Sequence, residues 1–264
     1  MFLAPDAVKI LNTPRAADKA ALTFEVAARW REGAYDRLGQ ANPPDRPARP
    51  SAPLLLLPRD LPKRKINRGV LGRAALLHAL AHIELNAIDL AWDLVVRFPN
   101  ENMPDSFFDD WIQVADDEAR HFLMLEERLH QLDSHYGALP AHDGLWKAAE
   151  DTAYDIKARL AIVPMILEAR GLDVIPASVA KLRSIDDDIT ADLLQTIHDE
   201  EITHVHAGKK GFDYLCARDD LDPVVTWQRL VKKHFKGGVK GPFNVESREK
   251  ANFGPEFYDP EFSS

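Results

Sequence analysis

The stretch Asp117–His130, DEARHFLMLEERLH, carries the spacing Glu-x-x-His twice, at Glu118/His121 and at Glu127/His130. On an α-helix, residues three and four apart share a face. Trp111, Val114, Glu118, His121 and Leu125 recur at those steps, so the first pair lies in an apolar stripe that faces a core. Glu127 and His130 fall nine residues further on, about half a turn out of phase on a helix. They sit beside Glu126 and Arg128. The first pair reads as buried and the second as a solvated helix face.

A spacing this short also arises by chance about once in a chain of ordinary composition. Burial is what gives it weight, because an uncompensated carboxylate in a core costs several kcal/mol (~) unless a metal or partner neutralises it. A second buried copy appears in LLQTIHDEEITHVHAG, where Leu194, Ile197, Glu201, His204 and Gly208 share a face. Two further helical segments offer one carboxylate each. In ALLHALAHIELNAIDLAW the stripe of Leu77, Ala81, Glu84, Ile88 and Ala91 or Trp92 turns Glu84 inward.

In AYDIKARLAIVPMILEARG the carboxylate is Glu168. The regular seam of Ala153, Ile156, Leu160, Val163 and Leu167 misses it by one residue. Pro164 removes a backbone donor there and invites a kink or a one-residue bulge that rotates the next turn. Alternatively Ala158, Ala161, Met165 and Glu168 face the core directly.

The order is Glu84, Glu118-x-x-His121, Glu168, Glu201-x-x-His204, with intervals of 34 and 33 residues from the single Glu to the Glu of the pair. That is a twofold repeat of one helix hairpin. Four carboxylates and two imidazoles form the ligand set of a dinuclear carboxylate site in a helix bundle. The oxygen-rich set suits iron, with manganese as the alternative, better than zinc. Asp117 and Glu200 adjoin the two paired Glu residues, and His198 lies three before Glu201. All three are candidates to hydrogen-bond the ligands from behind.

The remaining segments fit an all-α fold: a ferritin-like four-helix bundle with an extra N-terminal helix, a Pro-rich segment and an irregular C-terminal tail. The reading places a first helix at 13–39 with Thr13 as its cap. A Pro-rich extended segment at 40–66 follows, its Leu54–Leu57 pinned onto the domain. Long helices are expected at about 67–97, 105–137, 143–170 and 186–217, with Gly171 ending the third. Shorter ones are expected near 176–184 and 222–235. The domain division is 1–66, 67–235 and 236–264.

No run of eighteen apolar residues suggests a membrane span, and the start has no secretory leader pattern. One cysteine, Cys216, excludes an internal disulfide and fits a reducing compartment, so the expectation is a cytoplasmic protein. Forty-two acidic against 33 basic residues give a net charge of -9, which argues against a nucleic-acid surface. The basic residues cluster at 59–68 and 232–240, read as solvated ends. Expected partners are a small organic substrate and an electron donor; the oligomeric state stays open.

The phrases HIELNAIDL (82–90), EARGLDV (168–174), HDEEITHVHAG (198–208) and PFNVESREKANF (242–253) resemble an uncharacterised ferritin-like family, a domain of unknown function akin to the di-iron tRNA hydroxylases. The resemblance covers nearly the whole chain and implies the fold and the metal site, not a substrate. Separately, Asp117-Glu118-Ala119-Arg120-His121 is similar to the D-E-x-R-H motif of bacterial multicomponent monooxygenases, in which the Asp supports a ligating His across the bundle. The second copy departs from it, with Glu200 in the Asp place and Thr203 in the Arg place. The leading function is an oxygen-activating di-iron oxidoreductase. A ferroxidase or iron-handling protein, and a metal-stabilised binding protein, are the alternatives.

Overall fold

The computed structural model describes residues 1–61 and 66–259. They contain no strand, only isolated bridges and helices, and they divide into two compact units, Met1–Lys147 and Ala148–Ser264.

The first unit holds α1 (Leu3–Leu11), α2 (Ala16–Arg31), α3 (Val70–Arg97) and α4 (Asp105–Gln131). The expected helix at 13–39 is thus the shorter α2, and α1 precedes it where no helix was expected. Thr13 does not cap the second. Its hydroxyl donates to Lys9 O at 2.9 Å and closes the first. The second stops at Arg31, where Gly33 adopts φ +71°, a left-handed turn that glycine takes without strain.

The long helices α3 and α4 pack against each other, α1 lies on α3 and α2 on α4. Trp92 Nε1 on α3 donates to Thr23 Oγ1 on α2 at 3.1 Å. Lys19, buried on α2, pairs with Asp89 on α3. Arg49, from the Pro-rich segment, reaches Asp89 at 3.1 Å and Asn86 at 2.7 Å. Arg97 likewise donates to Pro44 O at 2.6 Å.

Side chains around its arginines, rather than leucines, therefore tie down the extended segment. Leu54, Leu55 and Leu57 are exposed, which corrects the expectation that they are pinned. Backbone bonds between Leu54, Leu56 and Ala141 hold this stretch instead. The helix α3 is long and apolar enough by composition to cross a membrane, but 72% of its most apolar stretch is buried inside the fold.

The unit boundary falls within α5 (Gly144–Asp151). The second unit continues with α6 (Ile156–Ile162), a wide π turn at Val163–Glu168, α7 (Ala169–Arg183), α8 (Asp188–Arg218) and α9 (Pro223–His234). The helix expected at 143–170 is broken before 156, because Asp155 accepts the Ala158 N–H at 3.1 Å and starts a new helix, a favoured N-cap role. Arg159, fully buried, spans the break with bonds to Ala149 O at 2.6 Å and Thr152 Oγ1 at 3.0 Å.

Gly171 does not end a helix; α7 runs through it and through Pro176 to Arg183. Pro176 has no N–H for the carbonyl four residues back. That carbonyl, Leu172 O, accepts Asn244 Nδ2 at 3.2 Å. The tail is correspondingly ordered, with α10 (Val245–Lys250) and α11 (Pro255–Tyr258). Phe253, Phe257 and Tyr258 are buried, and Phe253 meets Trp227 of α9 edge-on at 5.5 Å. The expected irregular tail is corrected to two short helices closing over an aromatic cluster.

Candidate metal centre

In the first unit the apolar stripes of α3 and α4 carry acid groups inward. Leu77, Ala81, Glu84, Ile88 and Ala91 are buried on α3, and Trp111, Val114, Glu118, His121 and Leu125 on α4. One ligand atom from each of Glu84, Glu118 and His121 lies within 4.8 Å of the others. His121 Nδ1 is 3.6 Å from Glu118 Oε2, beyond good hydrogen-bonding distance. Two buried carboxylates this close resist joint ionisation unless a proton or a cation lies between them. With an imidazole as third donor, the cluster could hold a divalent metal ion.

The second Glu-x-x-His of α4 points elsewhere. His130 is 56% exposed and pairs with Glu126 at 3.3 Å, and Glu127 is exposed too.

The second unit repeats the pair. Glu201 and His204 on α8 are buried, with Glu201 Oε1 3.6 Å from His204 Nδ1, the spacing seen in the first unit. Glu168 ends the π turn and is half-buried, with Oε2 inside. Such a turn adds one residue to the helix, so every position beyond it is displaced on the helix face. This is the bulge expected at Pro164.

The turn lies tight against α8. A Cβ on Gly208 would sit 2.4 Å from the Pro164 ring carbons, so only glycine lets the two backbones approach this closely.

Of the residues expected behind the ligands, Asp117 pairs with Arg120 on its own helix at 2.8 Å. His198 contacts Asp199 Oδ1 at 3.3 Å and Ser247 Oγ at 3.4 Å. Glu200 is half-buried, and its carbonyl accepts the Thr203 hydroxyl at 2.8 Å.

His78 and His82 work on the loop that follows α4. His78 Nε2 accepts Gly137 N–H at 2.9 Å, and His82 Nδ1 meets Tyr136 OH at 2.8 Å. Burial, with the Arg49 charge, pulls His82 down to about 4, so it is neutral at physiological pH. Tyr154 is 69% exposed.

The basic residues at 232–240 include the exposed Lys232 and Lys233 on α9. Lys63 and Arg64 of the other basic cluster lie outside the described residues.

Sequence reasoning missed a third polar cluster, in which Arg248 pairs with Asp173 at 2.8 Å, both side chains buried. Those residues belong to PFNVESREKANF and EARGLDV, two phrases that carry the resemblance, yet neither shows a repeat that would mark the pair.

The family described as "Protein of unknown function (DUF455)" matches residues 12–259. A protein of Haemophilus influenzae (strain ATCC 51907 / DSM 11121 / KW20 / Rd), described as an uncharacterized protein, is 39% identical over 209 residues, covering 77% of this chain and 72% of the relative. No solved structure matches the chain. These matches carry no link to the ferritin-like proteins or the tRNA hydroxylases. With nearly its whole length matched, the chain belongs to the DUF455 family.

Proposed function

We propose that this protein is a dinuclear carboxylate oxidoreductase of ferritin-like descent. In this reading Glu84, Glu118 and His121 hold one ion, and Glu168, Glu201 and His204 hold the other. The ions are iron, with manganese as the alternative, as oxygen-rich ligation with one imidazole per ion favours. The observation that carries the reading is the buried meeting of Glu84, Glu118 and His121. The matching 3.6 Å pair at Glu201 and His204 supports its twofold form.

When bound, the metal pair supplies electrons to dioxygen for oxidation of an organic substrate. The chain's own task is to hold the donors and keep water out. Ala158, Ala161 and Met165, which precede Glu168 along the chain, are buried and add no polar group to compete with the donors. In this reading Asp117, Glu200 and His198 remain the candidates to hydrogen-bond the ligands from behind, with Asp117 itself held by Arg120 at 2.8 Å. The reading takes a small organic molecule and an electron donor as partners, without nucleic acid or membrane, and a cytoplasmic location.

Oxygen uptake by iron-supplied protein tests the enzyme reading. Continued uptake with an external electron donor and an organic substrate supports it. A single burst in proportion to added Fe(II) supports iron handling, and no uptake supports a metal-stabilised binding protein.

A further inference from the structure

Arg248, on α10, is 1% exposed and sits among aromatic rings. Its guanidinium carbon is 4.4 Å from the Tyr258 centroid and 5.1 Å from that of Phe243. Nε donates to Asp173 Oδ1 at 2.9 Å and Nη2 to Asp173 Oδ2 at 2.8 Å, a bidentate pair. Nη2 also reaches Ala169 O at 3.4 Å. Nη1 is equally buried and has no partner among the described residues. Buried donors on a charged group are rarely left unused, and one that is points to a water, an ion or a ligand as its partner.

Arg248 lines an open pocket of about 220 Å³, room for the head and part of the body of a small organic molecule. Arg170 and Lys240 line it as well, and Asp173, the acid of this wall, is shared between Arg248 at 2.8 Å and Arg170 at 3.4 Å. Arg170 Nη1 donates to Lys240 O at 3.1 Å, which fixes its head beside the segment that carries Lys240. In a chain of net charge -9 this wall is a local excess of positive charge. Ile166, Leu167 and Phe235 add apolar surface. The first two belong to the π turn that ends at Glu168.

We infer that this pocket binds the anionic head, carboxylate or phosphate, of a small organic molecule. Arg248 Nη1, Arg170 and Lys240 donate to the head, and the apolar body lies on Ile166, Leu167 and Phe235. Its place next to the turn bearing Glu168 makes this molecule the substrate class of the proposed centre. That last step rests on the metal reading; the binding does not.

Titration calorimetry of the full chain with octanoate, octyl phosphate and octanol tests it. At least one anion should bind ten-fold or more tightly than octanol, and the tighter anion identifies the head group. Arg248→Gln removes the bidentate partner of buried Asp173 and can unfold the tail, so the exposed Lys240 carries the test. Lys240→Gln should weaken anion binding several-fold and leave octanol unchanged. Octanol matching both anions, no binding of either anion, or unchanged anion binding by Lys240→Gln overturns the inference. No metal enters this assay, so its failure is distinct from failure of the metal reading.

Discussion

Gly208 on α8 faces Pro164 so closely that a methyl group in place of its hydrogen would lie 2.4 Å from both Cβ and Cγ of the proline ring. The contact fixes the π turn against the helix that carries Glu201 and His204. Neither partner can move cheaply, since one atom set is backbone-bound ring and the other is helix backbone.

Gly208→Ala should therefore destabilise the protein by roughly 1–3 kcal/mol, the usual cost of overpacking a well-filled core. It should also lower metal content, because the turn that presents Glu168 must shift. Urea midpoints and metal analysis of the variant check both effects. A midpoint equal to that of the parent would show that the turn yields freely.

A comparison on one helix tests the phase of α4. His121→Ala should lose metal, whereas His130→Ala should bind as the parent does and change stability by no more than about 0.5 kcal/mol, as surface substitutions generally do. Equal metal loss from the two variants would mean that the buried pair has been misassigned.

Much of this was legible beforehand. The burial of Glu118 and His121 against exposure of Glu127 and His130 follows from helical phase alone, and the structure shows that division. The bulge at Pro164 was readable because a proline there conflicts with a seam that misses Glu168 by one residue. The break before Ile156 was not, because Asp155 becomes a cap only when the chain ahead of it leaves the helix. Leu54–Leu57 misled because four leucines imply burial, while arginine contacts to α3 anchor the segment. The tail looked irregular because its order comes from distant partners: Asn244 on the Leu172 carbonyl and Arg248 on Asp173.

Breaking that anchor is the next prediction. Arg248→Ala leaves buried Asp173 with only the half-exposed Arg170, 3.4 Å away, as counter-ion, so the loss should approach the roughly 3–5 kcal/mol of a broken buried pair without exceeding it. Limited proteolysis should then cut near residues 236–244 well before it does in the parent. Identical cleavage patterns would show that the aromatic cluster alone holds the tail.

Cys216 offers a simple probe of the second unit's core. It is 1% exposed, and burial pushes its thiol up to about 11. Only the thiolate reacts readily, so native protein at pH 8 should resist iodoacetamide and become labelled once unfolded in urea. Rapid labelling of the native chain would indicate that α8 opens near its end.

The most direct test of the central claim is the metal content of protein purified from iron-supplemented cells, measured by mass spectrometry of the elements. The account predicts close to two iron or manganese ions per chain, as dinuclear sites hold, with loss of metal in both His121→Ala and His204→Ala. Protein that carries neither metal as purified, and takes up neither when supplied with Fe(II) or Mn(II) without oxygen, would contradict it.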